Sequence, residues 1–481
     1  MVAALAVGVL AAACSESPQA LDDESTTTTT AVEETTTSTG SLQPTGEVGA
    51  SGVGDPYYAA LGNGGYDVET YDLEIEWLPD SGSIDATATV TLVPTVDLDT
   101  FNLDLEGLTV TSITVDGEPV ESAREGRELT IDPEPVLAAG ETVTAVIDYE
   151  GAPEPIRMGT DVFRVGWHSD GRDAYVVSEP AGAASWFPAN DHPVDKATFR
   201  FSVTVPSDLG AIANGIEQSV TDNGDGTTTH VYAASDPMAT YLASVVIGDL
   251  EYVDETTAGG LLLRSAYPRR LVDAARTDFA DTARMVEVFE ERFGPYPFEV
   301  YGHVVADEIL GFALENQTLS IFGSDLVTGR GTIDSIVAHE LAHQWFGNAV
   351  SPATWKDIWL NEGFATYAEW VWAEASGGRT IEESAAAVHA RSDFGVPPGD
   401  PGPEELFQAT VYLRGGLALH ALSVEIGDES FDRLLKTWVE RFGGATASTA
   451  DLQALAEELS GQDLSGLFDA WVYGEALPPL P

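Results

Sequence analysis

The stretch Val337-Ala338-His339-Glu340-Leu341-Ala342-His343-Gln344-Trp345-Phe346-Gly347 holds two histidines four residues apart, with a glutamate beside the first. On a helix, positions i and i+4 lie on one face a turn apart, so His339 and His343 can aim both imidazoles at one metal ion. Catalytic zinc takes three protein ligands and keeps a fourth position open. Two histidines therefore need a partner from elsewhere, and Glu362, in Asn361-Glu362-Gly363, is the candidate. Glu340 sits beside the pair, where a carboxylate can take a proton from an activated water. Glu369 lies seven residues beyond Glu362 on the same helical face, placed to accept a hydrogen bond from a ligand imidazole.

Two helices must carry these groups. Thr332-Ile333-Asp334-Ser335 supplies a capping residue and a first-turn acid for the first; Ile336, Leu341 and Trp345 give it an apolar side, and Gly347-Asn348 stops it. The second is predicted from about Leu360 to Ala375, ended by Gly377-Gly378.

With those residues in place, the chain resembles the gluzincin peptidases, and within them the membrane alanyl aminopeptidase (aminopeptidase N) family. Three further stretches carry the resemblance. Gly311-Phe312-Ala313-Leu314-Glu315-Asn316-Gln317-Thr318 is similar to that family's exopeptidase signature, with Phe312 where glycine is usual. Tyr412-Leu413-Arg414-Gly415 is similar to its catalytic tyrosine segment, and Trp186-Phe187-Pro188-Ala189-Asn190-Asp191-His192-Pro193 to the signature of its amino-terminal domain. The resemblance runs from about Gly64 to the end. It implies one zinc ion, with Glu340 and Tyr412 as catalytic residues, the tyrosine as donor to the developing oxyanion. It also implies that Glu315, and Glu179 in Ser178-Glu179-Pro180, hold the cationic amino group of a peptide substrate. A carboxylate at a fixed distance from the metal lets only the first peptide bond reach it, which separates an exopeptidase from an endopeptidase. Asn190, Asp191, His192 and Asp195 read instead as a structural polar turn.

Composition sets the outer bounds. The 481 residues are 43% hydrophobic, enough for packed cores. Acids outnumber bases 79 to 21, a formal net charge of −58. That balance excludes nucleic acid and anionic lipid surfaces as partners and favours cationic ligands. It suits a saline surrounding, where self-repulsion is screened, and equally a simple solubilising shell.

Residues 1–14 read as a signal segment: an apolar run from Val2 to Ala13 too short to span a bilayer, then Cys14, the only cysteine. Its position after small residues resembles a bacterial lipoprotein attachment site, although no Lys or Arg precedes the run and Leu10 stands one place early. The expectation is export, with membrane contact only through a lipid anchor at Cys14. Residues 15–55, rich in threonine and lacking aromatics, are expected to be a disordered tether.

Residues 56–253 are expected to form an all-β domain. Tyr71 to Trp77 and Ile84 to Leu92 alternate apolar with acidic or polar residues, and strands are predicted at Thr198 to Val205, Thr227 to Tyr232 and Tyr241 to Ile247. Val115-Asp116-Gly117-Glu118 and Asn223-Gly224-Asp225-Gly226 are predicted hairpin turns. Residues 254–481 are expected to form the catalytic domain. A helix is predicted over Leu271 to Phe293, then strands at Tyr301 to Ala306 and Thr318 to Phe322, then the metal helices. Helices at Gly416 to Glu425, Glu429 to Phe442, Thr449 to Leu459 and Leu464 to Trp471 follow, with caps at Asp428, Ser448 and Asp463. The fold class is multidomain α+β, which the resemblance sharpens to a saddle-like β domain followed by a thermolysin-like mixed sheet with helices. Larger family members continue into a superhelical domain that covers the site; this sequence is similar to shorter members without it, so an open cleft is expected.

Three functions fit to different depths. A zinc aminopeptidase acting on peptides with a free amino terminus uses every motif. A related zinc hydrolase, endopeptidase or epoxide hydrolase, leaves Glu315 and Glu179 unused. A surface binding lipoprotein leaves Glu340 and Tyr412 unused. The preferred first residue and the oligomeric state are not encoded legibly.

Overall fold

Strict alternation between apolar and acidic residues makes Tyr66–Leu78 a strand with one face in the core: Tyr71, Leu73, Ile75 and Trp77 are buried while Glu74 and Glu76 face solvent. The computed structural model describes residues 47–158, 164–391, 394 and 396–481. Around Tyr66–Leu78 an eight-stranded sheet forms, its partners Ser83–Pro94 on one side and Lys196–Pro206 on the other, the latter pair parallel. The predicted turn at Asp116-Gly117 closes its hairpin with both residues at positive φ, 49° and 83°, the conformation that matches strand twist. A four-stranded and a five-stranded sheet complete the β domain. Trp186 and Phe187 pack between the sheets against Tyr71, Phe199 and Phe201.

The chain then changes partners. Leu250–Thr256 pairs with Leu262–Pro268 in a six-stranded mixed sheet, so the expected boundary at 253 cuts through a strand that belongs wholly to the second domain. The sheet runs on through His303–Ala306 and Ser320–Gly323 to the short antiparallel edge strand Ala313–Leu314. Its helices are α1 (Val272–Asp278), α2 (Thr282–Phe293), α3 (Asp334–Ala342), α4 (Trp359–Ala375), α5 (Ile381–His389), α6 (Gly415–Ile426), α7 (Asp428–Phe442), α8 (Thr449–Ser460) and α9 (Ser465–Phe468). Among the described residues no helix is long and apolar enough to cross a membrane.

Several expectations need correction. The single helix over Leu271 to Phe293 is two, because Asp278 turns inward to accept the amides of Thr328, Gly329 and Gly331. Tyr241 lies in a 3-10 turn, Thr240–Leu242, ahead of the strand Val245–Gly248. No side chain caps α3: Ile333 occupies the cap position, with Asp334 in the first turn. Asp428 is likewise the first residue of α7 rather than its cap, whereas Ser448 forms a full capping box with Asp451. Beyond α9, Asp469–Tyr473 closes the predicted last helix as a π turn.

The tether also ends sooner than composition suggests. Glu47–Val48 pairs with Leu98–Asp104, and Asp55 is buried, its carboxylate accepting the amides of Tyr57, Tyr58 and Trp355 and facing His192 Nε2 at 3.1 Å. Backbone pairing and a hydrogen-bonded carboxylate need no apolar side chains, which is why hydrophobicity missed them. The signal-like segment with Cys14, and the tether up to residue 46, lie outside the described residues. Asn190, Asp191, His192 and Asp195 do form a buried polar cluster, in which Arg127 bridges Asp104 and Asp191 at 3.0 and 3.1 Å.

His303 sits in the second core, stacked on Phe279 at 4.2 Å and edge-on to Tyr301 and Phe322. Burial pushes its imidazole from the ordinary 6.5 down to about 3. The unfolded chain therefore binds a proton that the folded one refuses. This contribution is complete above 6.5 and is lost as pH falls toward 3. In urea titrations at pH 7 and pH 5, the stability lost by His303→Phe should be about 2 kcal/mol smaller than that lost by the parent.

Candidate metal centre

Helix α3 carries His339 on its last turn, and His343 continues the helical path at φ −56° and ψ −25°, so the two rings stand 4.8 Å apart. Helix α4 brings Glu362 from its first turn: Glu362 Oε2 lies 3.1 Å from His339 Nε2 and 3.6 Å from His343 Nε2. The outer nitrogens are both engaged. His339 Nδ1 is 2.9 Å from Glu369 Oε1, and His343 Nδ1 is 3.1 Å from the Phe346 carbonyl. With Nδ1 donating to these oxygens, both Nε2 lone pairs converge on a carboxylate, an arrangement that only a cation satisfies. The three donor atoms lie within 4.8 Å of one another and are buried. His339, His343 and Glu362 thus fit a zinc ion, and Glu369 fits the supporting role expected of it.

Glycine sets the depth of this arrangement. A Cβ on Gly363 would meet the Gly415 backbone at 2.9 Å, and one on Gly415 would meet Gly363 Cα at 2.9 Å. Only glycine at both positions lets α4 and α6 approach so closely, which draws the residues before them, Glu362 and the turn Thr410–Arg414, toward one point. That turn is π-helical, a local widening common at functional sites. It presents Tyr412 stacked against His339, 5.8 Å between ring centres at 22°. Arg414, fully buried, anchors the turn through the carbonyls of Ala470 and Trp471.

Glu315 and Glu179 arrive from the two domains. Glu315 follows the edge strand Ala313–Leu314; its carbonyl accepts the side-chain amides of Gln344 and Asn348 at 3.1 and 2.7 Å. The β domain grips the same loop: Asn214 donates to the Gln317 carbonyl at 2.7 Å, and the Gly215 amide donates to Thr318 Oγ1 at 2.8 Å. Lys196 reaches across as well, donating to the carbonyls of Asn348 and Ala349 at 2.7 and 3.0 Å. Glu179 comes from the β domain itself. It offers an oxygen that lies within 4.8 Å of oxygens from Glu315 and Glu362. One oxygen each of Glu179 and Glu315 is buried without a hydrogen-bond partner among the described residues.

The electrostatics follow from crowding. Burial first, then the neighbouring Glu315, pushes the Glu179 carboxyl well above its usual range. Burial raises Glu315 too, against the pull of His343. Glu340, buried at the same place, is pushed up to about 8 by burial despite both histidines. Burial would also raise Glu362, but His343 and the hydrogen bond from His339 hold it at about 2. Protons on the imidazoles here stand where a metal cation would, since metal binding displaces them. Beside this cluster opens a cleft of about 390 Å³ lined by Glu179 and Tyr412 together with Met158, Phe312, Leu406 and Phe407.

Every site residue expected from the sequence therefore gathers here. Gln344, Asn348, Asn214 and Lys196 were missed; the only sequence signal was amides in apolar surroundings, as in His343-Gln344-Trp345-Phe346 and Gly347-Asn348-Ala349.

The chain matches the family described as Peptidase family M1 domain over residues 277–471 and that described as Peptidase M1 N-terminal domain over residues 68–242. Aminopeptidase M1 of Arabidopsis thaliana is 29% identical over 327 residues, covering 62% of this chain and 36% of that protein. Aminopeptidase 2 of Candida albicans is 25% identical over 445 residues, 85% of this chain and 47% of its own length. The chain thus spans between about a third and a half of these curated relatives. Among solved structures, a variant of an M1 zinc metallopeptidase from Deinococcus radiodurans bound to a Tyr-Ser-Ala substrate is 35% identical, with a TM-score of 0.83 over 89% of this chain and 99% of that one.

Removing the acceptor behind His339 should loosen the metal without unfolding the site. Glu369→Ala is expected to weaken zinc affinity by about 10- to 100-fold, read by competition with a chromogenic chelator. An unchanged affinity would mean that Glu369 does not orient the ligand.

Proposed function

The chain belongs to the peptidase M1 family, and from that premise we propose that it is a zinc-dependent aminopeptidase removing the first residue of peptides. One observation carries the reading. Glu179 and Glu315 leave buried carboxylate oxygens unpartnered beside the metal ligand Glu362, a hole of the charge and size that a peptide's terminal ammonium fills. With the amine held there, the first carbonyl falls at the metal and no later one does.

When bound, zinc supplies Lewis acidity and a readily deprotonated water. Glu340 takes the proton of the attacking water and returns it to the leaving amine, a role supported by its place beside His343 and Glu315. The Tyr412 hydroxyl donates to the developing oxyanion, a role supported by its seat against His339. Binding of a cationic amine relieves the mutual repulsion of Glu179 and Glu315, so substrate and site stabilise each other's charged forms.

The cleft indicates which first residues suit the site. A side chain on the carbon between amine and carbonyl must leave between Glu179 and Tyr412, where the cleft begins. Its apolar walls favour large side chains over small ones. The solved relatives were captured with Tyr-Ser-Ala, L-tryptophan and L-arginine, which agrees with a roomy pocket. Phe312 narrows one wall without closing it.

The endopeptidase and epoxide hydrolase readings leave the paired carboxylates without a task. We also propose export with a lipid at Cys14, supported by the sequence of residues 1–14 alone; mass spectrometry of the cell-derived protein should find the mature chain beginning at a lipidated Cys14, and an intact Met1 would overturn it.

The deciding experiment is a panel of free and N-acetylated aminoacyl-arylamides and peptides, with and without a zinc chelator. Chelator-sensitive cleavage of free substrates only is expected, and Glu340→Gln should keep zinc while losing turnover by at least about 1,000-fold. Cleavage of acetylated peptides would move the assignment to an endopeptidase.

A further inference from the structure

One part of the cleft lining is a segment without regular structure. Pro403, Leu406, Phe407 and Gln408 on it face the cleft, and it leads directly into the turn Thr410–Arg414 that carries Tyr412. Phe407 remains 41% exposed there. Leu406 seats it in the core, but its backbone lacks the ladder of hydrogen bonds that holds a helix or strand, so the rest of it depends on side-chain ties.

Besides local backbone turns such as Glu405 to Gly402 and Gln408 to Glu405, its hydrogen bonds run to Lys356 and to the start of the folded chain. Tyr57 Oη donates to Asp400 Oδ1 at 2.6 Å and accepts the Gly402 amide at 3.0 Å. Tyr58 Oη donates to the Pro403 carbonyl at 2.8 Å, and the Tyr58 ring itself lines the cleft. Lys356 holds the other oxygen of Asp400 at 2.9 Å. The two tyrosines are fixed at their root by Asp55, one of whose oxygens takes both their backbone amides at 2.8 and 2.9 Å. Its other oxygen faces His192 of the β domain and accepts the Trp355 amide, just ahead of the zinc-ligand helix α4, at 2.8 Å. A short stretch of chain therefore ties both domains to the cleft wall.

We propose that Tyr57 and Tyr58 are positioning residues that latch the segment Asp400–Phe407 against the cleft and so set the enzyme's selectivity for bulky first residues. The inference rests on the aminopeptidase reading and deepens it. Large first side chains lean on the latched wall formed by Leu406 and Phe407. Small ones stay near Glu179 and Tyr412 and do not reach it. Neither tyrosine touches the reacting atoms; both act through the wall.

The test uses Tyr57→Phe, Tyr58→Phe and the double variant in the full chain. Each keeps its ring and loses only the hydroxyl, so folding is little disturbed. For the double variant, kcat/KM on phenylalanyl-arylamide should fall about tenfold, mainly through KM, while alanyl-arylamide stays within about twofold. Equal losses on both substrates, or an unchanged ratio, would overturn the proposal. Hydrogen exchange supplies a readout that does not depend on turnover: the Gly402 amide, bonded to Tyr57 Oη, should exchange faster in Tyr57→Phe, and unchanged protection would overturn the latch. If the parent cleaves neither arylamide, the aminopeptidase reading fails and the selectivity role with it, whereas exchange at Gly402 still decides whether the latch exists.

Discussion

Four carboxylates, Glu179, Glu315, Glu340 and Glu362, are buried together against only two imidazoles. Like charges in a low-dielectric interior repel strongly and raise one another's proton affinity, so the cluster is stable only with added positive charge. Among the described residues no lysine or arginine forms an ion pair with any of the four. In the proposed function the missing charge comes from a metal at one end and a substrate ammonium at the other. The same constraint explains the support around the site. The loop holding Glu315 is braced by neutral amides from Gln344, Asn348 and Asn214, and the one nearby lysine, Lys196, spends its charge on backbone carbonyls. A cation closer in would fill the space that the proposed function leaves to a substrate amine.

Holding such a cluster open requires rigid surroundings. The contact between Gly363 and Gly415 fixes the separation of α4 and α6, and Arg414 pins the Tyr412 turn from behind with backbone carbonyls. The β domain is part of this frame. It contributes Glu179 directly, grips the Glu315 loop through Asn214 and Gly215, and meets the catalytic domain again where Asp55, beside His192, accepts the Trp355 amide. The site belongs to the junction of the two domains, so its side chains come from segments far apart in the chain.

Legibility in the sequence tracked the range of the interactions involved. The strands expected at Tyr71 to Trp77 and Thr227 to Tyr232, which run longer as Tyr66–Leu78 and Thr227–Ala239, the turn at Asp116-Gly117 and the cap at Ser448 all follow from residues within a few positions of one another. The failures share a cause. Asp278 breaks a helix to satisfy amides some fifty residues away, and Tyr241 leaves its expected strand for a tight turn at the domain junction. Asp55 looked like tether because its partners, His192 and Trp355, are remote in sequence. In each case a distant polar partner outweighed local pattern.

The sequence by itself picked out the candidate metal ligands, since His339 and His343 are set on one face by helix geometry, and it determined the order of a β domain before one of mixed sheet and helices through the change from period two to helical spacing. It also named Glu315, Glu179 and Tyr412, although only through their resemblance to known segments. Tertiary structure alone decided that these three meet at one point. No local rule encodes the closeness of Gly363 to Gly415, the hold of Asn214 on the Glu315 loop, or the reach of Tyr57 and Tyr58 to Asp400 and Pro403. Those contacts join positions from about fifty to several hundred residues apart, and they exist only because burial of one hydrophobic core, continuous from Leu61 to Val472, brings the elements together.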